Sequence, residues 1–141
     1  MLQPNKILVI RFSSLGDLIL TSPIFRELRR IFPGANLNLL TSVGFGDVLD
    51  NNPHLDRIIK HPRKENFEQL NQLIDELQAE EFDLIYDAHR SMRSRWIVSR
   101  LTAFGMKRQP AVWKINKRTL NRKFLIHLGW NRLQQGLSQR E

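Results

Sequence analysis

The chain has 141 residues, a formal net charge of +8, 41% hydrophobic residues and no cysteine. At this length one domain can bury about two thirds of the surface its unfolded chain exposes, so a hydrophobic core is expected. The composition excludes a disulfide framework and a thiolate metal site, and no apolar run approaches the roughly 20 residues of a membrane-spanning helix.

The charge is unevenly placed. Residues 1–88 carry 9 Lys/Arg against 13 Asp/Glu, a net −4, whereas residues 89–141 carry 13 Lys/Arg against Glu141 alone, a net +12. Such asymmetry argues for an anionic partner: a nucleic acid, a phospholipid surface, or a phosphorylated or carboxylated sugar. Met1 to Lys6 precede an apolar run of strand length and lack the pattern of a secretory signal. A cytoplasmic protein, soluble or peripheral, is expected.

Lys6 to Phe12 reads as a buried parallel strand, apolar and β-branched around Ile7-Leu8-Val9-Ile10. It runs into Arg11-Phe12-Ser13-Ser14-Leu15-Gly16-Asp17-Leu18, a strand-to-helix turn. In an open α/β sheet, ligands meet the chain beyond the carboxyl ends of the strands. Ser13 and Ser14 offer hydroxyls there, and Gly16 lets a ligand approach the backbone. Asp17 has two readings. It can stabilise the helix start through the dipole, or stand ionised in the crevice as a general base. Pro23 either occupies the first turn of a helix capped by Thr21 or Ser22, or kinks one that began near Gly16. In both cases Leu18, Phe25, Leu28 and Phe32 share an apolar face, and Pro33-Gly34 closes the element.

Ala35 to Thr41 reads as a second strand whose polar/apolar alternation suits an outer position. Val43 to Leu49 is a glycine-containing turn and short helix; its G-x-G lacks the third glycine of a dinucleotide fingerprint. Arg57 to His61 is a short third strand. Asn66, with Gln69 three residues on, forms a capping box before a helix whose stripe of Phe67, Leu70, Leu73/Ile74 and Leu77 is expected to be core. Phe82 to His89 is the fourth strand, and places Asp87 and His89 at the same end of the sheet as Ser13. Asp87 is expected to fix the turn after the strand. Ser91 caps a helix bearing Arg93, Arg95 and Arg100, stopped by Gly105. Gln109 to Lys114 is a fifth strand with Pro110 at its start. A last helical pattern runs from Lys117 through Leu120, Phe124 and Leu128. His54, His61 and His127 lack metal-ligand spacing and are assigned no metal.

Ser13 to Pro23, with the strand before them, resemble the opening motif of the ADP-heptose:lipopolysaccharide heptosyltransferases, glycosyltransferase family 9. Asn52-Pro53-His54-Leu55-Asp56-Arg57-Ile58 resembles that family's second βα region. The run from Phe82 to His89, followed by a basic residue and Ser91, resembles its second signature, with His89 where Gln is commoner. The resemblance covers most of residues 6–130. It implies a Rossmann-like, mostly parallel sheet flanked by helices, the amino-terminal half of a GT-B fold. Residues 1–141 are then a single acceptor-side domain, with the carboxy-terminal nucleotide-sugar domain absent and the fragment inactive alone.

The implied reaction is inverting transfer of heptose from ADP-heptose to the lipopolysaccharide inner core, without a metal or other cofactor. Asp17 is the implied base, and Ser13, Ser14 and Gly16 the implied contacts in the turn. Arg63, Lys64, His89, Arg93, Lys117 and Arg118 are the implied acceptor contacts, since the acceptor carries carboxylates and phosphates. Each of these cations also suits a solvated surface. A basic face is further expected to meet the anionic leaflet where a lipid acceptor lies. The competing reading is a nucleic-acid-binding module, suggested by the basic last third with Trp96, Trp113, Phe124 and Trp130 interleaved. Against it, no nucleic-acid motif is present, and the aromatics mostly share helix faces with aliphatic residues, as core residues do.

Overall fold

The computed structural model describes residues 2–103, 107 and 109–114. These form a five-stranded, all-parallel sheet with strand order β3-β2-β1-β4-β5: β1 (Lys6–Ile10), β2 (Asn36–Ser42), β3 (Arg57–His61), β4 (Leu84–Asp87) and β5 (Ala111–Lys114). One face carries α1 (Leu15–Ile31) and a single turn of 3₁₀ helix (Gly46–Leu49). The other carries α2 (Phe67–Ala79) and α3 (Met92–Leu101). A parallel sheet covered on both faces needs strands that are apolar on both, and the run in β1 supplies this. Ile7 and Val9 pack with Leu18, Phe25 and Leu37 toward α1; Leu8 and Ile10 pack with Ile74, Ile85 and Ile97 toward α2 and α3.

β2 is not an outer strand. It lies between β1 and β3, and its residues after Asn36 are buried. The alternation arises because Asn38 is buried with its amide satisfied, donating to the carbonyl of Ile7 (3.2 Å) and to the side-chain oxygen of Asn36 (2.7 Å). β1 and β4 are also shorter than expected. β1 stops at Ile10 rather than Phe12 and β4 at Asp87 rather than His89, because the chain turns toward the site there. Pro110 lies just before β5, where its missing N–H costs no ladder bond.

Pro23 sits inside a continuous 17-residue helix capped by Ser14. An interior proline removes one helical hydrogen bond, yet Leu18, Thr21, Phe25 and Leu28 on the same helix are buried, and that packing carries the element through. α2 has the expected capping box: Asn66 accepts from the Gln69 N–H (2.8 Å), and Gln69 accepts from the Asn66 N–H (3.1 Å). Leu73, Ile74 and Leu77 are core, but Phe67 at its start is 66% exposed. α3 follows the Ser91 cap as expected and ends at Leu101, with Thr102 as its C-cap; Gly105 and the helical pattern from Lys117 lie outside the described residues.

The glycine turn is structural. Gly44 has φ +88°, and a Cβ on Gly46 would come within 3.1 Å of Ile58 and Lys60 on β3.

Carboxylates tie the strand ends together. Asp83 accepts from the Asn5 and Lys6 N–H groups (2.7 and 2.9 Å). Asp56 accepts from the Leu37 N–H (2.7 Å) and from Arg29 (2.6 Å), and Glu80 pairs with Lys6 and Arg57. Burial raises the Asp56 carboxyl, but the Leu37 and Arg29 bonds outweigh it and leave it lowered. Hydrogen bonds from Lys6 and Arg57 lower that of Glu80. Carboxyls with lowered native pKa values contribute stability that is present above their unfolded values of about 4 and is lost as pH falls through the native ones. The share of thermal stability that these two carboxyls supply is expected to be constant from pH 7 to about 5 and to fall progressively below about 4 in melting curves.

Candidate functional site

The strand order reverses between β1 and β4, so the turns that leave those strands flank the crevice where an open α/β sheet takes its ligands. Arg11 joins them. Its N–H donates to the Leu40 carbonyl (2.9 Å), while its guanidinium donates to the carbonyl of Ala88 and pairs with Asp17 at 2.8 Å. One side chain thereby locks the β1–α1 turn to the β4–α3 turn.

Asp17 stands in the first turn of α1 with its side chain half exposed. It accepts from the Ser14 N–H (3.4 Å) and hydroxyl (3.1 Å). The Ser13–Ser14 peptide is cis. Partial burial raises the Asp17 carboxyl, but the Ser14 hydrogen bonds and the Arg11 charge outweigh it, and the group lies below the usual aspartate value. Asp17 thus reaches back to the Ser14 cap and pairs with Arg11 at the head of the crevice. The ion pair keeps it charged and weakens it as a base. In Arg11→Ala the Asp17 carboxyl is expected to titrate at higher pH, measured by NMR of its side-chain carbon.

Ser14 and Gly16 are exposed and Ser13 half-buried beside it. Beyond its chain neighbours and the backbone of α1, no atom lies within 4 Å of where a Cβ on Gly16 would stand, so the space above this turn is open.

Across the crevice, Asp87 is buried. It accepts from the N–H groups of His89 (3.1 Å) and Arg90 (2.8 Å) and from the Ser94 hydroxyl (3.1 Å), which is the turn-fixing role expected of it. His89 is half-buried, edge-on to Phe12 with ring centroids 5.8 Å apart. Burial, reinforced by the Arg11 charge, pushes its pKa below the usual histidine value, which keeps the ring neutral at neutral pH. A neutral ring can both donate and accept, as a sugar hydroxyl requires.

Arg93 is more firmly placed than a solvated surface cation. Its guanidinium lies 4.0 Å above the Phe12 ring, donates to the Pro62 carbonyl (3.0 Å) and pairs with Glu65, whose other oxygen contacts His61. Arg63 and Lys64 are exposed in the β3–α2 loop at the same end of the sheet, Arg63 lying 5.7 Å from the Phe45 ring. Lys117 and Arg118 lie outside the described residues.

The structure thus brings Ser13, Ser14, Gly16 and Asp17 together with His89 and Arg93 through Arg11 and Phe12. Sequence reasoning overlooked Arg11, Phe12 and Glu65 as parts of this site. Arg11 directly follows the first strand, and Glu65 lies four residues after His61; these spacings were the available signals. Among the described residues no group of three or more His, Cys, Asp or Glu side chains could hold a metal ion, and no helix is long and apolar enough to cross a membrane.

No protein-family model matches the chain. It is 24% identical over 142 aligned residues, 92% of this chain, to lipopolysaccharide heptosyltransferase 1 of Pseudomonas aeruginosa, of which it spans 40%. A glycosyl transferase family 9 structure from Veillonella parvula superposes with a TM-score of 0.66 at 25% identity, over 71% of this chain and 30% of that one. The Escherichia coli heptosyltransferase WaaC, in a structure with ADP-2-deoxy-2-fluoro heptose, superposes with a TM-score of 0.64 at 22% identity, over 82% of this chain and 38% of that one. The chain therefore spans well under half the length of the proteins it matches. The parallel sheet flanked by helices, with its crevice at the β1/β4 switch, is that of a Rossmann-like half of a GT-B protein, and the chain is similar in sequence and fold to the family 9 heptosyltransferases.

Proposed function

We propose that this chain binds the anionic sugar acceptor in an inverting heptosyl transfer from ADP-heptose to the lipopolysaccharide inner core, on the cytoplasmic side of the membrane, with Asp17 as general base. In this scheme an acceptor hydroxyl attacks the anomeric carbon on the face opposite ADP. The carbon–oxygen bond to the β-phosphate breaks, ADP leaves with the electron pair, and Asp17 takes the hydroxyl proton. Arg93, Arg63 and Lys64 meet the acceptor's carboxylates and phosphates, and Lys117 and Arg118 are further candidates for the same task. Ser13, Ser14 and His89 offer hydrogen bonds to sugar hydroxyls. The nucleotide sugar is held by a second domain of the GT-B kind.

The observation that carries this reading is the ionised Asp17 carboxylate, fixed by Arg11 and Ser14 at the switch-point crevice on the same end of the sheet as the basic side chains. The match to heptosyltransferases favours it over the nucleic-acid module.

Titration of the chain with a soluble inner-core fragment tests it, with ADP-heptose and a single-stranded oligonucleotide as controls. Saturable acceptor binding is expected, weakened about ten- to a hundredfold in Arg93→Ala because a charge-assisted bond is lost. Tight, salt-sensitive oligonucleotide binding without acceptor binding would overturn it. Gly16→Ala is expected to keep or slightly raise the melting temperature, because alanine suits a helix better by roughly 0.5–1 kcal/mol. Its methyl group enters the open space above the turn, so acceptor affinity is expected to fall in the same titration.

A further inference from the structure

Glu65 is a carboxylate drawn inward from a polar surface. Its side chain is only 8% exposed, whereas Glu68, Asp75 and Glu76 on the helix that follows are exposed. A carboxylate in such a place is costly unless it is paired, and this one is paired twice: one oxygen lies 2.5 Å from Arg93 Nε and the other meets His61 Nε2. The neighbouring helices do not need it. Asn66 and Gln69 already form the capping box of α2, and Ser91 caps α3. A buried ion pair is also a weak source of stability, since apolar residues of similar volume often serve as well. The task left to Glu65 is to hold Arg93.

Arg93 is held from three sides, and the three holds are not equivalent. A cation 4.0 Å over the Phe12 ring is fixed in distance but not in direction. The Pro62 carbonyl, 3.0 Å from Nη2, fixes one N–H. The Glu65 oxygen against Nε is the second fixed point, and two points set the direction of a planar fork. Together they occupy the edge that carries Nε and Nη2, and Nη1 is left without a partner among the described residues. Pro62 and Glu65 both belong to the β3–α2 loop, so the same contacts tie this loop, with the exposed Arg63 and Lys64, to the start of α3.

We infer, resting on the acceptor reading, that Glu65 is a positioning residue: wedged between His61 and Arg93, it aims the Arg93 Nη1 group at a carboxylate or phosphate oxygen of the acceptor. An arginine free to swing loses its rotamer freedom when it binds an anion. One already held has lost it on folding, and binds more tightly for that reason. Glu65 also offsets part of the Arg93 charge, which by itself would weaken anion binding. Direction outweighs charge here, because Arg63 and Lys64 supply positive charge nearby, whereas no other side chain among the described residues bonds to the Arg93 fork.

A double-mutant cycle on the full chain, titrated with the soluble inner-core fragment, tests this. Glu65→Ala is expected to weaken acceptor binding about tenfold in the wild-type background and to have almost no effect in Arg93→Ala, because there is then no fork to aim. Glu65→Gln, whose amide oxygen can still accept from Arg93, is expected to lose less than Glu65→Ala. The Arg93 Nε–H resonance, displaced by the Phe12 ring, gives a readout that needs no acceptor: it is expected to move toward the free-arginine position in Glu65→Ala, with circular dichroism unchanged. Unchanged or tighter acceptor binding in Glu65→Ala would overturn the inference. An equal loss with and without Arg93 would do the same, because Glu65 would then act on the fold or on another group. Failure of the wild-type chain to bind the fragment would overturn the acceptor reading and this use of Arg93 with it, whereas wild-type binding that ignores Glu65 overturns this inference alone.

Discussion

Asp87→Ala is expected to lower the stability of the chain by about 3 kcal/mol and its melting temperature by roughly 10 °C, because a buried acceptor serving several donors is removed. Asp87 is buried at the end of β4 and receives two backbone N–H groups and the Ser94 hydroxyl. Without it those donors lose their partner inside the protein. The turn also includes Arg90 at φ +55°, a conformation uncommon for a residue with a Cβ, and the bond from its N–H to Asp87 helps to hold it there. Denaturant unfolding checks the effect as a lower midpoint with an unchanged slope. Asp87→Asn keeps one acceptor oxygen and is expected to lose less. A residue whose role was only to touch ligand would change binding and leave the unfolding midpoint in place.

The second large effect is on chemistry. In a transfer assay that joins this chain to a nucleotide-sugar-binding domain, Asp17→Asn is expected to slow heptosyl transfer by about a hundred- to ten-thousandfold, the usual contribution of a positioned general base. Acceptor affinity is expected to change little, because asparagine keeps the shape and can still accept from Ser14. The pH dependence carries a sign. The Asp17 carboxyl lies below its ordinary value under the combined hold of Ser14 and Arg11, so it remains ionised well into acid. The limb of the rate profile that it controls is therefore expected below the ordinary aspartate range, with a flat rate between neutrality and about pH 5. In Arg11→Ala that limb should move to higher pH, in step with the titration of the carboxyl itself. A rate limb that ignores Arg11 would mean that another group takes the proton.

Acid lability of the fold and acid limits of the reaction are separable for the same reason. Asp56 and Glu80 link strand ends away from the crevice, and their loss on protonation shows in melting curves. Asp17, also lowered, adds to those curves, and of the three it alone is expected to show in rates.

Much of this was legible in the residues. The apolar run of β1, the limits of β3, the capping box at Asn66, the cap at Ser91 and the turn at Asp87 are local features, each set by side-chain periodicity or by a hydrogen bond spanning three residues. The position of Asp17 after the first strand followed from the same logic. The resemblance carried by Ser13 to Pro23 named the family that the sequence and structure relatives then supported. Other features lay beyond local reading. An interior Pro23 was compatible with two helix starts, and only the burial of Leu18 and Phe25 against the sheet chose between them. The polar/apolar pattern of β2 suggested an edge, because nothing nearby in the chain says that Asn38 finds the Ile7 carbonyl.

By itself, then, the sequence determined the kind and order of the elements, the helix caps and the chemistry available at the first turn, because those depend on residues within a few positions of one another. The tertiary structure alone decided that Arg11 bridges Asp17 to Ala88, that Arg93 is held between Phe12 and Glu65, and that Phe67 and Trp96 face outward. Each of these depends on contacts between segments distant in the chain, 77 residues apart for Arg11 and Ala88, and only the pairing of β1 with β4 brings those segments together.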